Sequence, residues 1–214
     1  MQEITDFLFG QYKGYAIIDI VLECIAVAFG IASVLYSKKN SILVYPTGLI
    51  STAIFVYLLY KFSLYGDMII NGYYFYMSLY GWILWSRKDN AGEEFLKITK
   101  MTTKDKQTCI AIFVLSVIFV SAVYFYDGKF IYWWAYVDTF ITGLFFIGMW
   151  LLAKRKLENW LFLIVGDIIA VPLFFLKGLT LTSILNVILT VIAIFGYYSW
   201  KKIASTQNIH SSTL

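Results

Sequence analysis

The sequence predicts an all-α membrane protein: seven transmembrane helices arranged as two parallel three-helix repeats joined by a linker helix. Three observations predict it. Sixty per cent of the 214 residues are hydrophobic and only 14 per cent are charged, too little polar surface to cover a soluble core. Apolar runs of about 17–25 residues, long enough to cross a bilayer, recur seven times. The runs at the two ends also carry the same punctuation about 115 to 119 residues apart, which marks a duplicated unit. Asp19 matches Asp138, and the turn Lys38-Lys39-Asn40 matches Lys154-Arg155-Lys156. Asn71 matches Asn186, and Gly81 with Trp85 matches Gly196 with Trp200.

Taken in order, residues 1–14 form an extracytoplasmic N-terminus. They lack a basic stretch before an apolar core, so no cleavable signal peptide is expected. The first repeat, 15–86, holds spans 15–36, 42–60 and 68–85, whose short connections make successive helices antiparallel neighbours. Pro46 stands near the start of the second span, where its missing N–H is tolerated. Segment 87–107 reads as a basic cytoplasmic linker with part-helical character along the membrane surface. Span 108–126 has no repeat partner and carries no acid or base; one added crossing lets two triplets run parallel. The second repeat, 131–202, holds spans 136–153, 160–176 and 182–200, with Pro172 as a kink in the middle one. Residues 203–214 read as a disordered cytoplasmic tail.

Charge sets the orientation. With the N-terminus outside and the C-terminus in the cytoplasm, all but four of the 17 Lys and Arg fall in inside segments. The exceptions are Lys13, Lys61, Lys129 and Lys177. These cations lie in short loops beside spans and form no basic face, so nucleic acid is not an expected partner. Cys24 and Cys109 lie in apolar spans and read as small core residues, without a disulfide or metal site, and His210 lies in the polar tail. No glycine-rich phosphate loop, Ser-His-Asp set or metal-spaced cluster is present, so no enzyme activity, ATP drive or cofactor is expected.

What remains is chemistry inside the spans. Asp19, Glu23, Asp138 and Asp167 are acids within apolar runs, where a carboxylate at the bilayer centre costs about 2.5–3.5 kcal/mol and usually faces a cavity or a partner. Asp19 and Asp138, one turn inside the outer helix ends, are expected to pin neighbouring helices, with a substrate role as the alternative. Glu23 shares the face of Asp19 at i, i+4. Asp167 lies nearest mid-membrane and is a binding candidate on equal terms with a structural role. Asn71 and Asn186, at matching positions, are expected to face each other across a central path, where an amide offers both donor and acceptor; an interhelical hydrogen bond is the alternative. Of Tyr73, Tyr74 and Tyr76, at most two can point inward. Trp160, two turns before Asp167, would supply an aromatic plane for a flat cationic ring, although a Trp at a helix start is more often an interface anchor. Trp85, Trp133, Trp134 and Trp200 read as such anchors.

The runs Tyr45-Pro46-Thr47-Gly48-Leu49-Ile50, Leu64-Tyr65-Gly66-Asp67-Met68 and Tyr80-Gly81-Trp82-Ile83-Leu84-Trp85 resemble the PnuC family of vitamin transporters. So do Glu158-Asn159-Trp160 with Asp167, Lys177-Gly178-Leu179 and Gly196-Tyr197-Tyr198-Ser199-Trp200, and the resemblance covers roughly 15–202. It implies a fold like that of the SWEET sugar transporters and a homotrimer in the bacterial inner membrane. It also implies uptake of nicotinamide riboside, an NAD precursor, by facilitated diffusion, with trapping through phosphorylation by a cytoplasmic kinase. Two positions depart from the family pattern. Leu163 stands where nicotinamide riboside carriers have the second residue of a Trp-x-x-Trp pair begun here by Trp160, and Asn186 stands where an aromatic is expected. Thiamine, which is also compact with a cationic ring, is therefore the alternative substrate, and a SWEET-type sugar the less favoured one. The expected substrate set is Trp160, Asn71, Asn186, Asp167, Tyr73, Tyr74, Asp138 and Glu23.

Overall fold

The computed structural model describes residues 16–88, 96–126, 128 and 130–211, the last four by backbone alone. The expectations for 1–14, for 89–95 of the linker, for the His210 side chain and for 212–214 lie outside the described residues. Among the described residues seven helices follow one another: α1 (Ile17–Lys38), α2 (Val44–Lys61), α3 (Tyr65–Trp85), α4 (Thr103–Tyr126), α5 (Trp133–Ala153), α6 (Asn159–Leu176) and α7 (Thr180–Ser211). Among the described residues there is no strand, and a parallel bridge joins Thr99 and Lys156. In hydrocarbon each segment must satisfy its own backbone groups, and a helix does so. Five of the seven are long and apolar enough to cross a membrane; α2 and α3 fall outside that set. Both are diluted by small and polar residues, Thr47, Gly48, Ser51 and Thr52 in α2 and Asp67, Asn71, Gly72 and Ser78 in α3. Such residues let helices approach and bond in a membrane: Ser51 Oγ donates to Ala26 O at 2.8 Å, and Ser33 Oγ to Val44 O at 2.7 Å.

Successive helices pack within each triplet, α1 on α2 on α3 and α5 on α6 on α7. Between triplets, α1 packs on α7 and α3 on α5, while α4 packs on α5. Exchanging α1, α2 and α3 for α5, α6 and α7 turns the first of these cross-contacts into the second.

The turns repeat as well. Asn40 after α1 (φ 53) and Arg155 after α5 (φ 51) take the left-handed conformation, as do Ser63 after α2 (φ 57) and Gly178 after α6 (φ 77). Each closes a Schellman motif, with one N–H reaching back to the helix's last turn and the next reaching one residue further. Ser41 N donates to Tyr36 O at 2.9 Å, and Lys156 N to Leu151 O at 2.9 Å. Leu64 N donates to Leu59 O and Leu179 N to Phe174 O, both at 2.8 Å. Asn40 and Gly178 suit that conformation by residue type. Arg155 does not, and it is compensated: its side chain is 1 % exposed, its guanidinium lies 4.0 Å from the Trp85 ring, and it donates to Leu96 O.

Several expectations are corrected. Trp85 and Trp200 are not interface anchors; they are 4 % and 0 % exposed, and each reaches into the other triplet. The Trp85 indole donates to Ala153 O at the end of α5 (3.2 Å), and the Trp200 indole to Ser37 O near the end of α1 (2.8 Å). Trp133 is exposed as an anchor would be. Residues 203–211 are not a disordered tail but continue α7, because Ile203 and Ala204 pack on the core cluster of Tyr45, Trp85, Trp160 and Trp200, and Gln207 Oε1 accepts from Ile98 N. Of the linker 87–107, residues 103–107 are helical and begin α4, whereas 96–102 form a non-helical strap. It is tied to the α5–α6 turn by Thr99 N to Arg155 O (3.1 Å) and Leu157 N to Thr99 O (2.9 Å). Cys109 is a core residue, but Cys24 is exposed on α1.

Candidate functional site

A cavity of ≈ 330 Å³ opens between the helices and is lined from α1, α2, α3, α5, α6 and α7; α4 contributes nothing. Its size and mostly apolar walls with a few polar groups are those of a small-molecule site. The polar set comprises Asp167 from α6, Asn186 from α7, Tyr74 and Ser78 from α3, and hydroxyls of α1 and α2. No lysine or arginine is among the lining residues.

Asp167 is 5 % exposed, and among the described residues no side chain hydrogen-bonds or ion-pairs with it. Its neighbourhood is built by glycine. Gly166 has the Phe145 ring where a Cβ would lie, 2.6 Å from its nearest atom, and Gly148 likewise has Leu163 at 2.7 Å. Two bare positions thus let α5 and α6 close on each other and bring Phe145 and Leu163 into the wall beside the carboxylate. Asn186, 6 % exposed, donates from Nδ2 to Thr182 O at 2.7 Å, which leaves its carbonyl oxygen as an acceptor for a ligand. The Ser33, Ser51 and Thr52 hydroxyls donate to backbone carbonyls of Val44, Ala26 and Gly48 and retain acceptor capacity. One uncompensated carboxylate, aromatic faces from Tyr74, Phe145 and Phe55, and several oxygens suit a compact cation with hydroxyl or amide groups.

Three expected residues meet here: Asp167, Asn186 and Tyr74. The others do not. Trp160 is fully buried two helical turns before Asp167 in α6, edge-on to Trp200 at 5.6 Å and against Gly196, and it lines no part of the cavity. Asn71 makes the same local bond as Asn186, Nδ2 to Asp67 O at 3.0 Å, but stands outside the lining, so the two amides do not face each other across a path. Tyr73 stacks on Phe146 at 4.0 Å and donates to Phe146 O at 3.0 Å, joining α3 to α5. Glu23 lies outside the lining, one turn before Val27, which is part of it.

Asp138 and Asp19 are helix pins. Asp19 accepts from Lys61 Nζ at 2.6 and 2.8 Å, tying the start of α1 to the end of α2. Asp138 accepts from Lys177 Nζ at 3.1 Å and from Tyr124 Oη at 2.5 Å, tying the start of α5 to the end of α6 and to α4. The two ion pairs occupy equivalent places in the two triplets. Asp138→Asn is expected to lower stability by on the order of 1 kcal/mol while leaving ligand affinity within about twofold, as read from melting and binding of the detergent-purified protein. A loss of binding above tenfold at an unchanged melting temperature would return Asp138 to the site.

Sequence reasoning missed Phe145, Ser78, Ser33 and Ser51. The signal available for Phe145 was its place within Gly143-Leu144-Phe145-Phe146-Ile147-Gly148, where spaced glycines predict close approach by a neighbour.

The described helices form a membrane bundle with a central cavity, lined from both triplets and holding one carboxyl group with no protein partner, an arrangement that fits a multi-pass membrane transporter. The comparisons agree, and residues 20–202 match the Nicotinamide mononucleotide transporter family, to which the chain belongs. A relative named nicotinamide riboside transporter PnuC from Escherichia coli (strain K12) is 24 % identical over 205 residues, covering 84 % of each chain. Another of that name from Neisseria mucosa is 26 % identical over 208 residues, covering 89 % of this chain and 75 % of the relative. The crystal structure of the vitamin B3 transporter PnuC shares the fold, with a TM-score of 0.64 and 24 % identity over 86 % of this chain and 82 % of that one.

Proposed function

We propose that this protein takes up nicotinamide riboside by facilitated diffusion and that phosphorylation by a cytoplasmic kinase traps the vitamin. The observation that carries the choice of substrate is the charge of the cavity: one carboxylate, Asp167, and no basic residue in the lining. The family is described by a mononucleotide and its relatives by the riboside. A phosphate in this cavity would meet a buried like charge and no cation, whereas the pyridinium ring of the riboside would gain both counter-charge and aromatic faces. The reading has Asp167 beside the ring, Tyr74 and Phe145 against it, and Asn186 bonding a hydroxyl or the carboxamide.

Thiamine uptake is the second reading. Leu163, not a tryptophan, lines the cavity at the position where the family's riboside carriers have their second tryptophan. Calorimetric titration of the purified protein decides. Nicotinamide riboside should bind, with the mononucleotide weaker by at least about tenfold. Binding of thiamine alone, or of the mononucleotide as tightly as the riboside, would overturn the reading.

The architecture that goes with this function is two parallel three-helix repeats about a pseudo-twofold axis, with α4 as the linker. Support comes from the matched Schellman turns, the matched Asp–Lys pairs and the exchangeable α1–α7 and α3–α5 contacts. The assembly is a homotrimer in the bacterial inner membrane, N-terminus outside and C-terminus cytoplasmic, in keeping with the positive-inside bias. In a chain with Cys24 and Cys109 replaced by serine, Ser205→Cys on the extension of α7 should react with a membrane-impermeant maleimide only in inside-out vesicles. Reaction only in right-side-out vesicles would reverse the orientation.

A further inference from the structure

Every helix that lines the cavity continues, one or two turns toward the end assigned to the cytoplasm, into a single plugging layer. Beyond Val34 of α1 lies Ser37, beyond Ser78 of α3 lies Trp85, and beyond Met149 of α5 lies Ala153. Beyond Ala193 of α7 lies Trp200, while Tyr45 and Trp160 precede Gly48 and Leu163 at the starts of α2 and α6. The layer is aromatic: Tyr45 meets Trp85 edge-on at 5.1 Å, Trp85 lies 6.0 Å from Trp200, and Trp160 meets Trp200 edge-on at 5.6 Å.

Two hydrogen bonds cross this layer between the triplets, and they are reciprocal. The third helix of each triplet donates an indole N–H to the last turn of the first helix of the other, Trp85 to Ala153 O and Trp200 to Ser37 O. The layer is not purely apolar either. Ser37 Oγ, Asn40 Oδ1, Tyr45 Oη, Asn159 Oδ1 and Trp160 Nε1 are buried there without a protein hydrogen-bond partner, so separation of the halves would expose a polar lining.

The two clasps do not hold equal partners. The α5–α6 turn is strapped from outside its own triplet by residues 96–102. Thr99 exchanges backbone hydrogen bonds with Arg155 and Leu157, Met101 N donates to Glu158 Oε2 at 2.9 Å, and Lys156 Nζ reaches Thr99 Oγ1 at 3.0 Å and Asp105 at 3.1 Å. Among the described residues the equivalent α1–α2 turn, Lys39–Leu43, bonds only locally, as in Asn40 N to Ser37 O, Ser41 N to Tyr36 O and Leu43 N to Ser41 Oγ. Among the described residues, its polar tie to the second triplet is the Trp200 clasp, backed by the Lys38 ammonium 5.1 Å from the Phe195 ring.

We propose that this layer is the cytoplasmic gate of the transporter and that the α1–α2 turn is its moving leaf, released when the Trp200–Ser37 clasp breaks, while the strapped α5–α6 turn stays fixed. The proposal rests on the transport role and orientation given above, and the Ser205→Cys labelling tests that orientation separately.

The test places a reporter thiol in the cavity, Ser78→Cys, in the chain with Cys24 and Cys109 replaced by serine, reconstituted in vesicles. A membrane-impermeant sulfonated maleimide is applied from each face. Trp200→Phe keeps the ring and removes only the N–H, and should raise the labelling rate from the cytoplasmic face by about fivefold, the worth of one hydrogen bond. Trp85→Phe should leave that rate within about twofold, because the strap still holds the α5–α6 turn. An unchanged rate in Trp200→Phe, equal rises in both variants, or a rise from both faces would each overturn the proposal. A measurement that needs no variant is hydrogen exchange of the wild-type protein: amides of 39–43 should exchange at least about tenfold faster than those of 154–158. Equal protection of the two turns would also overturn it.

Discussion

Asp167→Asn is expected to weaken nicotinamide riboside binding by about 10–100-fold while leaving the folded protein as stable as wild type or more so. The two effects have opposite signs for one reason. Asp167 is 5 % exposed and finds no hydrogen bond or cation among the described residues, so within the protein its charge is a cost. A cationic ligand removes that cost by supplying the counter-charge; hydrogen bonds and contacts to a charged group are worth about 1.5–3 kcal/mol, which sets the expected loss. Asparagine keeps the size and the hydrogen bonding and removes only the charge. A purely structural carboxylate would behave the other way, losing stability first and affinity only as a consequence. Side-by-side melting and calorimetric titration of wild type and Asp167→Asn separates the two. Binding within about threefold of wild type would remove Asp167 from the site.

The all-helical membrane fold was legible because bilayer length leaves a large, additive signal, the seven apolar runs. The pins were legible as pins, yet their partners were not named, although the sequence held a clue. Lys61 and Lys177 are two of the four cations that break the positive-inside bias, and they stand at matching places in the two triplets. Cations placed against the expected bias are explained when each pairs with an acid at the neighbouring helix end.

The lining of the cavity was half legible. Asn71 and Asn186 have the same spacing and make the same bond to the carbonyl four residues before, so nothing local distinguishes them. Their surroundings do: α4 packs on α5, and among the described residues no helix takes the matching place beside α1. The two triplets therefore present different faces to the cavity, with Tyr74 and Ser78 from α3 but Asn186, Leu189 and Ala193 from α7. Trp160 was misplaced for a different reason. A tryptophan at a helix start reads as an anchor or a ligand platform, and only the third helix of its own triplet, bare at Gly196, creates the slot that swallows the ring.

That slot has a twin, and together they give the largest expected loss of stability. A Cβ at Gly196 would stand 2.6–2.7 Å from Trp160 ring atoms, and one at Gly81 would stand 2.3–2.6 Å from Tyr45 ring and hydroxyl atoms. Neither ring has room to retreat: Tyr45 is 2 % exposed and edge-on to Trp85, and Trp160 is 0 % exposed and edge-on to Trp200. Gly81→Ala and Gly196→Ala are therefore each expected to destabilise by about 1–3 kcal/mol through overpacking, even though glycine to alanine inside a helix ordinarily gains about 0.5–1 kcal/mol. Gly72→Ala in α3, where nothing lies within 4 Å of the new Cβ, should show that ordinary gain. The contrast separates sterics from helix propensity within one helix, since Gly72 and Gly81 both belong to α3. If all three variants melted together, the rings would have yielded at no cost, and tight aromatic packing could not be what holds the two triplets closed at this end.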